Sequence, residues 1–433
     1  SKFRPENRWD FFYGFSGGWR LSEEEFMKNV KFVNELKLRL SYGVVGNQSG
    51  ISRYDGMQLY NFNSVNGAYI GDGRISYIKT SGEIATMGRS WERIHNYNLG
   101  LDFHLFDSRL QGTVELFMKK NNNMLIAVAY PGILGDKAPA SNSGKFEAKG
   151  YEGTVTWSDK IGKVNYHVGG TFTYADNKLV DYGGVTVFKS GFVDKQQGYS
   201  LNSVFGLKYC GKIQTEEQLR KYIYKYYNSN GIGMPKDLRL GDNMYEDVNG
   251  DGKLDEKDYV YLGSDDPKIS YSFNVGIEWN NFDLSAVFQG TAKRTIFRDE
   301  SNDNYRIPMR AAHLNSTTQS VGNVWSPDNR DGRYPTYTNI STINNYNYQC
   351  SSWSVENGNY LRLKSLTLGY NFPASLLSKT KAISRLRIYV SGADLWEVSK
   401  INDGWDPEAS RKVSGNGRFP FNRTCTVGLD VTF

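Results

Sequence analysis

The sequence predicts an all-β protein: an antiparallel transmembrane β-barrel with long loops at one end and short turns at the other. Three observations predict it. Segments of about ten residues alternate apolar and polar side chains, the pattern of strands with one face on lipid and one on water. The stretches between them fall into two lengths, which suits a barrel whose two ends differ. The last segment, "NRTCTVGLDVTF", alternates Cys425, Val427, Leu429, Val431 and Phe433 with polar partners and stops on an aromatic. A barrel's last strand must pair with its first, so Val427, Leu429, Val431 and Phe433 read as a C-terminal assembly strand. Residues 1–433 then form one domain.

The segments follow in order. "SEEEFMKNVKFVNEL" carries Ser22 as N-cap with Glu25 three residues on, a capping box, and predicts a helix. In "LKLRLSYGV", Leu36, Leu38, Leu40, Tyr42 and Val44 share one strand face against Lys37, Arg39 and Ser41. In "NLGLDFHLF", Leu99, Leu101, Phe103 and Leu105 oppose Gly100, Asp102 and His104. "YEGTVTW" and "VNYHVGGTFTY" repeat the alternation over 151–157 and 164–174. "TEEQLRKYIYKYYNS" from Thr215 predicts a second helix, with Gln218 at the capping-box position. "SYSFNVGIEW", "LRLKSLTLGY" and "RLRIYV" continue the strands. The tight connections are "FDSR" (106–109), "SDKIGK" (158–163) and "NNF" (280–282). The long ones span 45–90, 176–268 and 292–358. Structureless loops of that length argue against a compact soluble domain.

Composition removes several function classes. With 52 Lys and Arg against 46 Asp and Glu the chain carries only +6, and no basic run interleaves with aromatics. No nucleic-acid partner is expected. Three scattered cysteines (Cys210, Cys350, Cys425) build neither a disulfide framework nor a zinc knuckle. No window holds about 18 consecutive apolar residues, so no helix is expected to cross a membrane. The mean hydropathy of −0.56 is no test of a barrel, because alternate residues face water. "SKFRPENRWDFFYGFSGG" lacks the apolar stretch of a secretory leader. Ser16 sits in a GxSxG match without nameable triad partners, so no nucleophile elbow follows. Glu115, Glu152, Glu278, Asp102 and Asp283 are strand carboxylates facing water and need no glycosidase to explain them. We expect no enzyme.

"DVNGDGKLDEKD" has the most specific chemistry. A calcium loop supplies oxygens from positions 1, 3, 5, 7, 9 and 12, with Gly at 6 for the sharp turn. Those positions hold Asp247, Asn249, Asp251, Lys253 (through its carbonyl), Asp255 and Asp258, with Gly252 at the turn. Leu254 is the usual apolar anchor. Asp in place of Glu at position 12 reaches the ion bidentately less easily. The bland alternative is an Asn-Gly/Asp-Gly turn held by its own side chains. The flanks are not helical, which disfavours a sensor that opens a helix pair. A structural Ca2+ clip on an extracellular loop is expected.

Six stretches, in order, carry a resemblance: "GGWRLSEEEF" with "LKLRLSYGVVGNQ"; "WERIHNYNLGLDFHLFDSRLQGTVELFMKKNNNML"; "LGDNMYEDVNGDGKLDEKDYVYLGSDDPKISYSFNVGIEWNNFDLSAVFQG"; "VWSPDNRDGRYP"; "YLRLKSLTLGYNFP"; and the final strand. Spanning nearly the whole chain, they make it resemble the C-terminal half of a SusC/RagA-type TonB-dependent outer-membrane transporter. The resemblance implies import of a glycan, oligosaccharide or peptide across the outer membrane of a Gram-negative, Bacteroidetes-like cell. It implies a SusD-like surface lipoprotein as partner, contact with outer-membrane lipid, and energy from the TonB complex through an N-terminal part not included here. About 12 strand candidates, against about 22 in a plugged transporter barrel, make these residues a piece of a longer chain.

The 30 Tyr, 23 Phe and 9 Trp admit three readings: interfacial girdles, sugar-stacking platforms, or a soluble core. Trp157, Tyr271, Trp279 and Tyr370, near strand ends, suit girdles. Tyr54, Tyr60, Tyr69, Trp325, Tyr334, Tyr337 and Trp353, in loops, are candidates for substrate or partner contact, with loop packing as the alternative. The competing functional reading is a soluble, secreted calcium-binding β-protein that recognises glycans.

Overall fold

The computed structural model describes all residues except 1, 52–58, 71–72, 82–87, 128–139, 184–190, 194, 227–234, 298–317, 319, 379–381, 402–404 and 410–421. Among these residues eleven strands form one sheet. In chain order they are β1 (Gly14–Arg20), β2 (Val33–Asn47), β3 (Glu92–Leu105), β4 (Leu110–Ala127), β5 (Ala140–Ile161), β6 (Val164–Asp181), β7 (Ile269–Trp279), β8 (Phe282–Ala292), β9 (Tyr360–Asn371), β10 (Arg385–Ser399) and β11 (Thr424–Thr432). Each strand neighbours the next in sequence, so the sheet is an up-and-down meander with β1 and β11 at its two ends. The chain divides into two compact units, one of 1–153, 175–186 and 195–200 and the other of 154–174, 187–194 and 201–433.

Because consecutive strands run antiparallel, connections alternate between two ends. Within the first unit the described residues of 21–32 and 106–109 lie at one end of their strands and those of 48–91 at the other; within the second, 162–163, 280–281 and 372–378 lie at one end and the described residues of 201–268 and 293–359 at the other. Within each unit the longest connections fall at one end, as expected, although at the other end 21–32 and 372–384 run to 12 and 13 residues. The tightest turns take left-handed backbone. Phe106, Asp107 and Ser108 have φ of 58°, 58° and 61°, Asn280 51° and Gly162 60°. Positive φ matches the turn to the right-handed twist of its strands.

Register decides which side chains share a face. Leu40 lies opposite Leu99, and Leu99 opposite Leu116. Leu368 lies opposite Val390, and Val390 opposite Val427. All of these are exposed, Leu40 at 62% and Val427 at 76%. The opposite face is polar and tied by ions. Arg39 Nε reaches Asp102 Oδ2 at 2.7 Å, and Thr113 Oγ1 donates to Asp102 at 2.9 Å. Arg387 Nη2 reaches Asp283 at 2.6 Å, and Asn371 donates to the same carboxylate at 2.9 Å. A sheet meant for water would expose the polar face and cover the apolar one; this one leaves its apolar rows open.

Aromatics gather near both ends of the strands. At the short-connection end Phe32 stacks on Phe106 at 5.6 Å, and Phe282 lies 6.4 Å from Trp279 and 4.8 Å from Tyr370. At the long-connection end Tyr42 lies 6.0 Å from Tyr13 and 4.9 Å from Tyr97. Tyr271 there donates its hydroxyl to the Tyr360 carbonyl at 3.1 Å, while beside the short 162–163 turn Trp157 Nε1 donates to the Tyr166 hydroxyl at 3.2 Å.

The helix expected from Ser22 does not form. Two 3-10 turns, Leu21–Glu23 and Glu25–Met27, stand there without side-chain caps, and Val33 already opens β2. Pairing wins over local propensity. Trp19 and Arg20 of β1 must face Leu38 and Lys37 of β2, so only 21–32 remain to reverse the chain. Trp19 Nε1 donating to Glu24 at 2.8 Å fastens that reversal.

Candidate functional site

In the second unit, the described parts of 201–268 and 320–359 fold together into a compact cluster. Three small sheets frame it: Ser203–Gly206 between Gly191–Val193 and Val260–Ser264, Tyr209–Lys212 with Asn243–Tyr245, and Thr295–Phe297 with Val355–Asn357. Helix α1 (Glu216–Tyr226) realises the expected second helix. Thr215 Oγ1 accepts from Gln218 N at 3.2 Å, and Gln218 Oε1 accepts from Gln214 N at 2.8 Å, one residue before the usual capping-box donor. Helix α2 (Ser341–Tyr348) comes from the other connection.

Burial holds the cluster together. Leu207, Ile213, Tyr222, Tyr226, Leu238, Tyr245, Leu254 and Tyr346 form its core. A buried phenol must keep a hydrogen bond or lose stability. The Tyr222 and Tyr346 hydroxyls lie 2.6 Å apart, Tyr245 N donates to the Tyr222 hydroxyl at 2.8 Å, and the Tyr245 hydroxyl donates to the Asn347 carbonyl at 3.0 Å. Burial pushes the Tyr222, Tyr245 and Tyr346 phenols up, so all stay neutral donors. Asn347 Nδ2 donates to buried Asp242 at 2.8 Å. Burial also pushes the Asp242 carboxyl up, against the pull of Asn347.

The acidic loop hangs on this core through Leu254, which is buried in it. Its oxygens turn onto its own amides. Asp247 Oδ1 accepts from Gly250 N at 2.7 Å and Oδ2 from Gly252 N at 2.9 Å. Asn249 Oδ1 accepts from Asp251 N, and Asp251 Oδ1 from Lys253 N, both at 2.9 Å. Fully buried Asp258 accepts from Val248 N at 2.9 Å and Asp255 N at 2.8 Å, closing a capping box around Glu256–Asp258. Gly250 and Gly252 take φ of 76° and 79°, the sharp turn the motif asks for. Lys225 of α1 brings its ammonium to 3.5 Å from Asp247 Oδ2. Burial would raise the Asp247 carboxyl, but the two glycine amides and Lys225 outweigh it and hold it below the usual range.

The loop therefore combines hard oxygen donors, apt for a hard cation, with a geometry already closed on itself. Among the described residues no three His, Cys, Asp or Glu side chains converge as a metal site. The Asp at position 12 explains part of this: it is short enough to cap its own turn.

The aromatic candidates separate. Trp325 and Tyr334 are buried and act in loop packing: Trp325 Nε1 donates to Gln214 at 2.9 Å, and the Tyr334 ring lies edge-on to Trp353 at 6.5 Å. A Cβ on Gly241 would lie 2.3 Å from the Trp325 ring, so glycine makes the seat for that indole. Trp353 also meets Tyr348 and Tyr209, at 5.5 and 6.4 Å. Tyr60 and Tyr337 are exposed, Tyr60 at 66%. Tyr54 and the side chain of Tyr69 lie outside the described residues. Val427, Leu429 and Phe433 expose their side chains along the final strand, and Val431 is half-buried. Sequence reasoning missed Arg362, a fully buried cation on β9, and nothing in "YLRLKSL" distinguishes it from the exposed strand cations.

Comparison with known proteins places this architecture. The family model described as TonB dependent receptor-like, beta-barrel matches residues 2–252, more than half of the chain. Over 462 residues the chain is 28% identical to the TonB-dependent receptor P26 of Formosa agariphila, covering 100% of this chain and 43% of that protein. Over 446 residues it is 24% identical to the TonB-dependent receptor SusC of Bacteroides thetaiotaomicron, covering 100% and 41%. Among solved structures, that of the RagAB peptide transporter matches with a TM-score of 0.78 at 23% identity, covering 100% of this chain and 44% of that one, a likeness of fold. The chain spans less than half the length of these relatives.

Proposed function

Because the chain belongs to the TonB-dependent receptor-like β-barrel family, we propose that it forms the C-terminal part of the barrel of an outer-membrane importer in a Gram-negative cell. The observation that carries this reading is the inverted sheet: apolar rows open to the surroundings, ionic ladders on the other face, and, within each unit, the longest connections at one end. Apolar rows fit lipid, polar rows fit a wet passage, and a cored loop cluster fits the outer mouth. The named likenesses include a peptide transporter and SusC, which favours an oligosaccharide or peptide cargo and a SusD-like lipoprotein over the long loops. Among the aromatic candidates, exposed Tyr60 and Tyr337 would meet either. Energy would come from the TonB complex through residues beyond this chain. Nothing in this scheme needs covalent chemistry. Calcium, held by Asp247, Asn249, Asp251, Asp255, Asp258 and the Lys253 carbonyl, would stiffen the 182–268 connection, displacing some of the loop's own hydrogen bonds.

The test is the native polypeptide carrying this C-terminus, followed in a detergent-extracted outer-membrane fraction. A heat-modifiable band well above 49.1 kDa is expected. A 49.1 kDa species in the soluble fraction overturns the importer and leaves the secreted calcium-binding protein.

A further inference from the structure

Arg362 is fully buried, although it sits on a face of the sheet that is polar and elsewhere half-open. Its strand neighbours settle the face. Leu361 and Leu363 pair with Val398 and Trp396, which are exposed on the apolar side, while Arg362 pairs with Glu397 on the other. Something covers it there, and the cover is the short turn "WDPEA", 405–409. Arg362 Nη2 lies 2.8 Å from Asp406 Oδ1, and Nη1 lies 3.2 Å from Glu408 Oε1. Nε meets Glu397 of β10 at 2.6 Å. Lys364 Nζ joins Glu408 at 3.1 Å and Asp394 at 2.9 Å. From a third element, Arg294 donates to the carbonyls of Pro407 and Ala409 while its own head is fixed by Asp265 at 3.1 Å. The turn is braced internally as well: Asp406 accepts from Glu408 N at 3.0 Å through its side chain and from Ala409 N at 2.9 Å through its carbonyl.

Three cations from two parts of the chain thus grip Asp406, Pro407, Glu408 and Ala409 of the 400–423 connection. A buried charge is tolerated only when paired and hydrogen-bonded, so Arg362 and the turn depend on each other. Strands alone would leave this stretch of the polar face open, and a loop alone would have no reason to lie flat on it.

We propose that Arg362 is a positioning residue, which straps Trp405–Ala409 onto the polar face near the long-connection end, so that the strap rather than the bare strands forms the wall of the passage there. The strap rests on geometry alone; its place in the wall of a passage rests on the import reading above.

The experiment is hydrogen exchange by mass spectrometry on the full-length protein in detergent, comparing wild type with Arg362→Ala, Arg362→Lys and the double variant Asp406→Asn/Glu408→Gln. The amides of 405, 406, 408 and 409 are expected to exchange at least about tenfold faster in Arg362→Ala and in the double variant, with Arg362→Lys between. Exchange in 247–258 and in β2–β3 stays unchanged. The double variant keeps the arginine and its Glu397 partner, so it releases the strap without orphaning the buried charge. Unchanged exchange at 405–409 in both variants overturns the strap. A uniform loss of protection across the sheet also overturns it and makes Arg362 a folding residue. A chain that proves soluble defeats the import reading but leaves the exchange result at 405–409 to decide the strap.

Discussion

The sheet and the loop cluster handle apolar side chains in opposite ways. In the sheet, Leu40, Leu99, Leu116 and Val427 point outward and remain exposed. In the cluster, Leu207, Ile213 and Leu254 are almost wholly buried against tyrosines whose hydroxyls bond one another. The sheet's stability comes from its hydrogen-bonded ladders and from whatever apolar medium meets its outer rows. The cluster makes its own interior, as a water-soluble domain does. The difference teaches that this is one chain for two solvents, and it can be broken from either side.

The largest effect is expected in the cluster. Leu254→Ala deletes a buried anchor and should cost about 2–5 kcal/mol of local stability. Exchange at the α1 amides should rise, because Leu254 and Tyr222 share a core, while exchange in β2 and β3 stays fixed. A matching loss in the sheet would mean that the two regions unfold as one. Next comes the outer face. Leu99→Arg in mid-strand should cost about 2–4 kcal/mol if that row meets hydrocarbon, against about 0.5 kcal/mol or less if it meets water. Urea titration of the protein folded into lipid vesicles reads the difference. A cost near zero would remove the strongest physical support for a membrane setting.

The same contrast explains what could be read in advance. Strands β2, β3, β6 and β7 were legible because alternation is a local signal and both faces are marked at every step. The turns at 106–109 and 280–281 were legible from their brevity. The cluster was not, because its contacts join distant residues: Asn347 finds Asp242 and Asn243 across about a hundred positions, without any period to announce it. The segment after Ser22 misled for a related reason. A capping box is local evidence, and cross-strand pairing of Trp19 with Leu38 overrode it. Helix α1, with the same signature, formed because Leu219, Tyr222 and Tyr226 had a core to enter. Trp325 and Tyr334 looked like contact residues because an aromatic in a long loop carries no mark of burial. Arg362 was silent because its partners lie on β10 and in the strap.

The smallest effect, and the one that sharpens the contrast most, concerns the acidic loop. The loop belongs to the cluster, yet its polar atoms are satisfied by its own backbone and by Lys225. With calcium bound as proposed, a chelator at neutral pH should loosen the 182–268 connection to proteases several-fold, without exposing the core beneath it. Acid acts differently. Asp247 is held below its ordinary value, so its contribution is present above the unfolded carboxylate range of about 4 and is lost as pH falls through the lower folded value. Proteolysis at neutral pH, with and without chelator, set beside acid unfolding of the same segment, separates the two. Faster cleavage with chelator supports an ion on Asp247 and Asp258. No change with chelator, together with loss of order in acid, would mean that the loop is clipped by its own amides and by Lys225, and the calcium clip would be wrong.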